Sequence, residues 1–231
     1  MLDQAFEKLS SLQWGEGLDA VNEIDQAIVD SHGNADARKD LEQRLVAVIK
    51  GNGSRNGKET ACRKLRIVGT PAAVPVLAEL LGNDELSHMA RYALESMPCE
   101  EAGNALRHAL GSVSGILKQG VIGSLGVRAE DSSVSLLAGL LSDSDAHVAK
   151  SAAVALGAIR SSAAAKALSA ATTTGEVALA VADASLACAE KLLAGGNKLE
   201  ASAIYRKLSK IDEPKHVNLA AKRGLLACAA N

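Results

Sequence analysis

The sequence repeats itself at a step of 31 residues through its centre, and that self-similarity limits the fold more than any single motif does. Laid against "LAGLLSDSDAHVAKSAAVALG" (137–157), the segment "LRHALGSVSGILKQGVIGSLG" (106–126) puts Leu106 on Leu137, Leu110 on Leu141, Leu117 on Val148 and Leu125 on Leu156. The same step forward puts Leu168 on Leu137, Leu179 on Val148 and Ala182 on Ser151. An earlier copy, "LLGNDELSHMARYALESM" (80–97), is two residues shorter in its turn and sets Leu86 on Val148 and Leu94 on Leu156. A period of this size marks a stack of supersecondary units, a solenoid, rather than a globule folded around one centre.

Inside each copy the apolar residues recur at three and four residue spacing, as in Leu86, Ala90, Ala93, Leu94 and Met97, which is the stripe of an amphipathic helix. Turn signals divide each copy into two helices: "GND" (82–84), "GSVSG" (111–115), "SDSD" (142–145) and "TTTG" (172–175). Pro71 suits a first turn, Pro98 ends a helix and Pro214 opens one, because only a first turn can spare the amide donor that proline lacks. Extended outward, the pattern predicts about seven antiparallel pairs: 3–12 with 17–30, 35–50 with 58–68, 71–81 with 85–97, 100–110 with 115–127, 131–141 with 145–159, 162–171 with 176–194, and 198–209 with 214–229. The stretch "GNGSRNG" (51–57) reads as an inter-helix loop, so no linker divides the chain and residues 1–231 read as one domain.

A pair of short helices cannot bury its own apolar stripe, so each leans on its neighbours and the stack bends into an arc with a hollow side. The side chains that fill it are aliphatic, since the chain is 48% hydrophobic but only 2% aromatic. Gly120, Gly123 and Gly126 fall at intervals of three inside one helix, where each costs roughly 1 kcal/mol relative to alanine. Close approach by a neighbouring helix is the expected return. Phe6 and Trp14, in the first pair, are expected to cap the end of the core, with Trp14 packed over it.

The net charge of −2 and pI near 6.2 speak against a protein that coats nucleic acid, whose affinity would rest on lysine and arginine along the phosphates. The acidity is concentrated at the start: residues 1–49 hold four basic and ten acidic side chains, residues 50–128 ten and seven. Cys62, Cys99, Cys188 and Cys228 are scattered, without C-x-x-C and without histidine at ligand spacing, so neither a zinc site nor a disulfide framework is expected, and no cofactor. No apolar run approaches the roughly 20 residues that span a bilayer, and the residues given show no leader, so a soluble chain is expected.

The segments "VPVLAELL" (74–81) and "LLSDSDAHVAKSAAVALGAI" (140–159) resemble HEAT repeats, and "LEASAIYRKL" (199–208) with "HVNLAAKRGLLA" (216–227) resembles the HEAT or TPR-like unit that closes such arrays. More narrowly, "LQWGEG" (12–17), "CRKLRIVGT" (62–70), "LSHMARYALE" (86–95) and "GVIGSLG" (120–126) are similar, in that order, to a group of bacterial HEAT-repeat proteins. The resemblance implies an all-α fold, a right-handed α-α superhelix of HEAT or armadillo type: divergent pairs over 1–69, clear repeats over 70–194 and a TPR-like cap over 195–231. It implies protein association, and export behind a removed leader where the narrower group is concerned, otherwise a cytoplasmic chain. Two positions depart from the pattern. Many HEAT repeats carry Arg where Ala149 follows Val148, which leaves the Asp–Arg ladder without its Arg here, and the narrower group has Asn where this chain has Gly123.

In such arrays the second helix of each pair lines the hollow side, which makes its non-core positions the expected partner-binding surface: Arg63, Lys64, Arg66, His88, Arg91, Tyr92, Lys118, Gln119 and Lys150. The set is basic, and arginine and tyrosine combine flat contact area with directional donors. The plainer reading pairs Arg63 with Glu59 and Arg91 with Glu95 as solvated helix pairs worth about 0.3–0.5 kcal/mol. Catalytic patterns are scarce. The five histidines show no HExxH spacing and no serine elbow occurs, and the one nucleophile–base combination the helices could bring together is Cys62 with His88. The function expected is a non-enzymatic scaffold for a protein or peptide partner. The alternatives are an accessory module of a larger enzyme complex, or a HEAT-like enzyme of the DNA glycosylase or bilin lyase kind. One Trp and two Tyr are few aromatics for holding a distorted base. The apolar residues in the final "LLACAAN" (225–231) add homodimerisation through that end.

Overall fold

The computed structural model describes residues 2–15, 18–211 and 214–230, and every regular element among them is helical. Fourteen α-helices follow one another: α1 Leu2–Ser10, α2 Leu18–Asp30, α3 Ala35–Lys50, α4 Arg55–Val68, α5 Val74–Glu79, α6 Ser87–Ser96, α7 Glu100–Ala109, α8 Gly115–Arg128, α9 Val134–Leu140, α10 Ala146–Ile159, α11 Ser162–Ala170, α12 Gly175–Ala194, α13 Lys198–Leu208 and α14 Lys215–Ala229. In chain order they match the two members of each of the seven expected pairs. Gly17, the expected start of the second helix, lies outside the described residues, as does Glu16 of the "LQWGEG" segment.

The ends are set by local chemistry. Asn34, Ser54, Asp145, Ser161 and Asn197 each turn a side-chain oxygen onto an amide of the first turn they precede. Asp145 caps the His147 amide at 2.8 Å, so this aspartate serves its own helix in a repeat where Ala149 is buried and no arginine follows. Thr70 caps a 3-10 turn with Pro71 at its first position, and Pro98 follows the end of α6, as the sequence implies.

The helices divide into two compact units, Met1–Val121 and Ile122–Asn231. Within the first, α1 packs on α2, α3 on α4 and α5 on α6, while α3 also lies on α5, α5 on α7 and α4 on α6. Within the second, α9 pairs with α10, α11 with α12 and α13 with α14, and α10, α12 and α14 pack in succession. Each unit is thus layered as a solenoid is, first helices against first and second against second.

The core is aliphatic, from Leu9, Ile24 and Leu45 through Leu65, Leu77 and Leu94 to Ile122, Leu125, Leu156 and Leu168. Phe6 belongs to it. Trp14 does not: its side chain is 88% exposed, which corrects its expected seat over the first pair. The loop before α4 lies on the end of α1, where the Ser54 amide donates to the Ser10 carbonyl at 2.7 Å and the Ser54 hydroxyl to that of Leu12 at 2.7 Å. Gly53 and Gly57 permit this, since a Cβ at Gly53 would stand 2.6 Å from the Ser10 carbonyl oxygen and one at Gly57 would overlap that of Leu9.

Two sequence expectations about register are corrected. Leu179 does not take the place of Val148, for it is 43% exposed where Val148 is 2%. Close contacts show the true step: Ala155 faces Gly126 and Ala184 faces Gly157, so consecutive partners are 31 residues apart on one side and 29 on the other. The three glycines of α8 also part company. A Cβ at Gly126 would lie 2.9 Å from the Cα of Ala155, the expected helix approach; one at Gly120 would meet the Arg91 guanidinium at 2.7 Å; one at Gly123 would meet nothing within 4 Å.

Candidate functional site

Six of the nine expected binding residues stand on α4 and α6, which pack side by side in the first unit. The helical period puts Arg63, Arg66 and Ile67 of α4 opposite its buried Ala61, Leu65 and Val68, and puts His88 and Tyr92 of α6 on the matching side. Arg66 binds across the helices: its Nε donates to Ser96 Oγ and its Nη1 to Tyr92 Oη, both at 2.9 Å, with the guanidinium 4.6 Å from the Tyr92 ring centroid. Such a stack is worth about 0.5–1 kcal/mol at an exposed site. Arg63 points its Nε at the Met89 sulfur, 3.4 Å away. Among the described residues neither guanidinium has a carboxylate within ion-pair reach, and the Glu59–Arg63 pair of the plainer reading is not made. Glu59 pairs instead with Arg55, at 2.8 Å.

The other expected residues separate from this pair. Lys64 forms an ion pair with Asp25 of α2, and little of its side chain is exposed. Arg91 is half-buried: its chain lies over Gly120 and its Nη1 donates to the Gly120 carbonyl at 3.2 Å. Burial pushes its pKa below the usual arginine value, against the opposing charge of Glu95. It joins α6 to α8 more than it offers itself to a partner. Lys118 and Gln119 are half-buried on α8. Lys150 belongs to the second unit, 3.5 Å from Glu176.

Beside Arg63 lies a feature the sequence reading placed elsewhere. The turn after α1 and the start of α2 form one wall of a cleft of about 370 Å³, with Trp14, Leu18 and Val21 along it, and Thr60, Arg63 and Lys64 of α4 form the other. Trp14 and Leu18 are largely exposed. In the second unit Val154 of α10 and Leu179 of α12, both exposed, line a shallower groove of about 590 Å³ floored by alanines. The 31-residue register hid this, because it assigned Leu179 to the core. On α14 the exposed Leu219 and Leu226 share a face with the exposed Lys222 and Arg223, so a two-fold pairing of that face would set like charges together.

The one nucleophile–base combination read from the sequence is excluded by burial. Cys62 is fully buried and its thiol is pushed up to about 12 by desolvation, with Glu59 adding to the shift, while His88 is exposed. A thiol held protonated within the core is no nucleophile at neutral pH. Among the described residues no group of three or more His, Cys, Asp or Glu is placed to hold a metal ion, and no helix is long and apolar enough to cross a membrane.

These features define a helical-repeat protein whose distinctive surface chemistry lies on its second helices. Residues 103–188 match the family model for HEAT repeats, a fold that generally serves protein association. No curated protein matches the sequence. Two engineered proteins solved as crystal structures by the Northeast Structural Genomics Consortium are similar in chain path. One has 19% identity and a TM-score of 0.48 over 100% of this chain and 68% of its own; the other has 19% and 0.42 over 99% and 96%.

Proposed function

We propose that this chain is a non-enzymatic scaffold that holds a protein partner on the α4–α6 face, through Arg63, Arg66, His88 and Tyr92. The observation that carries the reading is the state of the two arginines. Each guanidinium is held by neutral groups, a thioether for Arg63 and a hydroxyl, a phenol and a ring for Arg66, so each keeps its charge available beside an exposed aromatic. Arginine and tyrosine set together in this way are the residues that most often anchor interfaces.

The test is the double charge reversal Arg63→Glu with Arg66→Glu, compared with wild type in affinity capture from the native cell with mass-spectrometric identification. The partner retained by the wild-type chain is lost by the variant, while unfolding free energy changes by no more than about 1 kcal/mol, the worth of the Arg66–Tyr92 stack. Capture of the same partner at the same yield by both proteins would remove the reading.

A further inference from the structure

The cleft beside Arg63 narrows the chemistry of the partner. Its apolar wall is Trp14, Leu18 and Val21, and the first two are largely exposed. Its α4 wall is polar, and the charges there cancel in pairs except at one point. Lys64 is matched by Asp25 and Glu59 by Arg55, which also lies 3.9 Å from Glu85, whereas Arg63 has no carboxylate among the described residues. Arg66 follows Arg63 by three residues, about 4.5 Å further along α4. An apolar recess therefore opens at its rim onto two guanidiniums in line.

We infer that the cleft receives an acidic peptide segment of a protein partner, seating one apolar or aromatic side chain between Trp14 and Thr60 and presenting a carboxylate to Arg63 and a second to Arg66. The inference rests on the scaffold reading of the α4–α6 face. Side chains on one face of an extended peptide recur at about 6–7 Å, so carboxylates two and four residues after the anchor fall along the arginine row. Guanidinium and carboxylate are geometrically matched, two donors to two acceptors. A nucleic acid suits the site less well, because two arginines in a chain of net charge −2 make a short row for a continuous phosphate backbone.

Trp14 is the only tryptophan in the chain, so its emission reports occupancy directly. The probes are synthetic twelve-residue peptides free of Trp and Tyr: one with Phe followed by alternating Glu, one with that Phe changed to Ser, and one with Lys in place of Glu. Titration of the full chain with the Phe–Glu peptide shifts Trp14 emission to the blue and saturates. The Ser and Lys peptides bind at least roughly tenfold more weakly, and the Arg63→Glu, Arg66→Glu variant loses roughly tenfold for the Phe–Glu peptide, while a Lys222→Glu, Arg223→Glu control on α14 does not. The variant Trp14→Ala, followed by a fluorescein-labelled peptide, loses affinity with little loss of stability, because the side chain it removes is 88% exposed.

Three results overturn the inference: no saturable shift, equal affinity for the Glu and Lys peptides, or displacement of the Phe–Glu peptide by a 20-base-pair duplex at lower concentration than by unlabelled peptide. Its failure is separable from that of the scaffold reading. A native partner lost on reversal of Arg63 and Arg66 but retained by Trp14→Ala, with no peptide binding, sinks the acidic segment and leaves the scaffold standing. A partner retained by the reversed variant sinks both.

Discussion

Three glycines on one helix show how little a residue type says until its neighbours are known. Gly126 is closed in by the Ala155 backbone, which cannot move without its helix, whereas Gly123 faces open space in the interior of α8. The variant Gly126→Ala should lose about 1–3 kcal/mol through overpacking, and Gly123→Ala should gain about 0.5–1 kcal/mol of helix propensity. Urea unfolding of the two variants checks both signs at once, and a like sign for the pair refutes the account. The buried thiols make a second prediction. Desolvation raises Cys62 to about 12 and Cys188 to about 11 from an ordinary value of 9.0, so between those limits the unfolded chain has released protons that the folded chain still holds. The unfolded state then binds fewer protons, and stability, fully present below pH 9, falls as pH rises above it, by about 1.4 kcal/mol per pH unit for each thiol. Urea midpoints at pH 7, 8 and 10 should be nearly level between the first two and drop at the third.

At the scale of elements, successive pairs are fastened by devices with different degrees of sequence signal. The Ser and Asn caps and the proline positions are local, so their residues announce them. The clasp between α3 and the turn before α5 is not. Glu42, 4% exposed, takes the Thr70 amide at 2.6 Å and lies 2.9 Å from the Thr70 hydroxyl through both carboxylate oxygens. Nothing in the spacing of residues 42 and 70 foretells it, because the partners meet only after α3 and α4 have folded back on each other. The change Glu42→Ala strands a buried amide and hydroxyl and should cost about 2–3 kcal/mol, while Glu42→Gln, which keeps an acceptor, should cost about 1 kcal/mol. Thermal unfolding of both resolves the order, and equal losses would mean that packing, not the clasp, holds the junction. The same limit explains the misplacement of Leu179. Periodicity finds α12, but the step from 31 to 29 residues is fixed by Ala184 settling against Gly157, a contact between two small residues that no pattern of large apolar ones reveals.

Across the whole molecule, the helices are legible because each needs only a stripe of aliphatic residues and a turn signal. The surface is less so. Arginines on α4 and α6 could be put on one face by helical period, but whether a charge is spent on a neighbour depends on packing: Lys64 is taken up by Asp25 and Arg91 by Gly120, while Arg63 and Arg66 meet only neutral groups. An isolated aromatic near the end of a solenoid is expected to seal it, yet while the loop of residues 53–54 lies on the end of α1, Trp14 stands 88% exposed. Its exposure has a consequence for how the whole chain unfolds. With one tryptophan, and that one in water in the native state, loss of structure moves the indole from one aqueous setting to another. Urea should therefore abolish the far-ultraviolet helical signal in a transition that leaves the wavelength of Trp14 emission nearly unchanged. A red shift coincident with the loss of helix would show instead that something covers Trp14 in the folded protein, and the cleft beside Arg63 would then be closed to any partner.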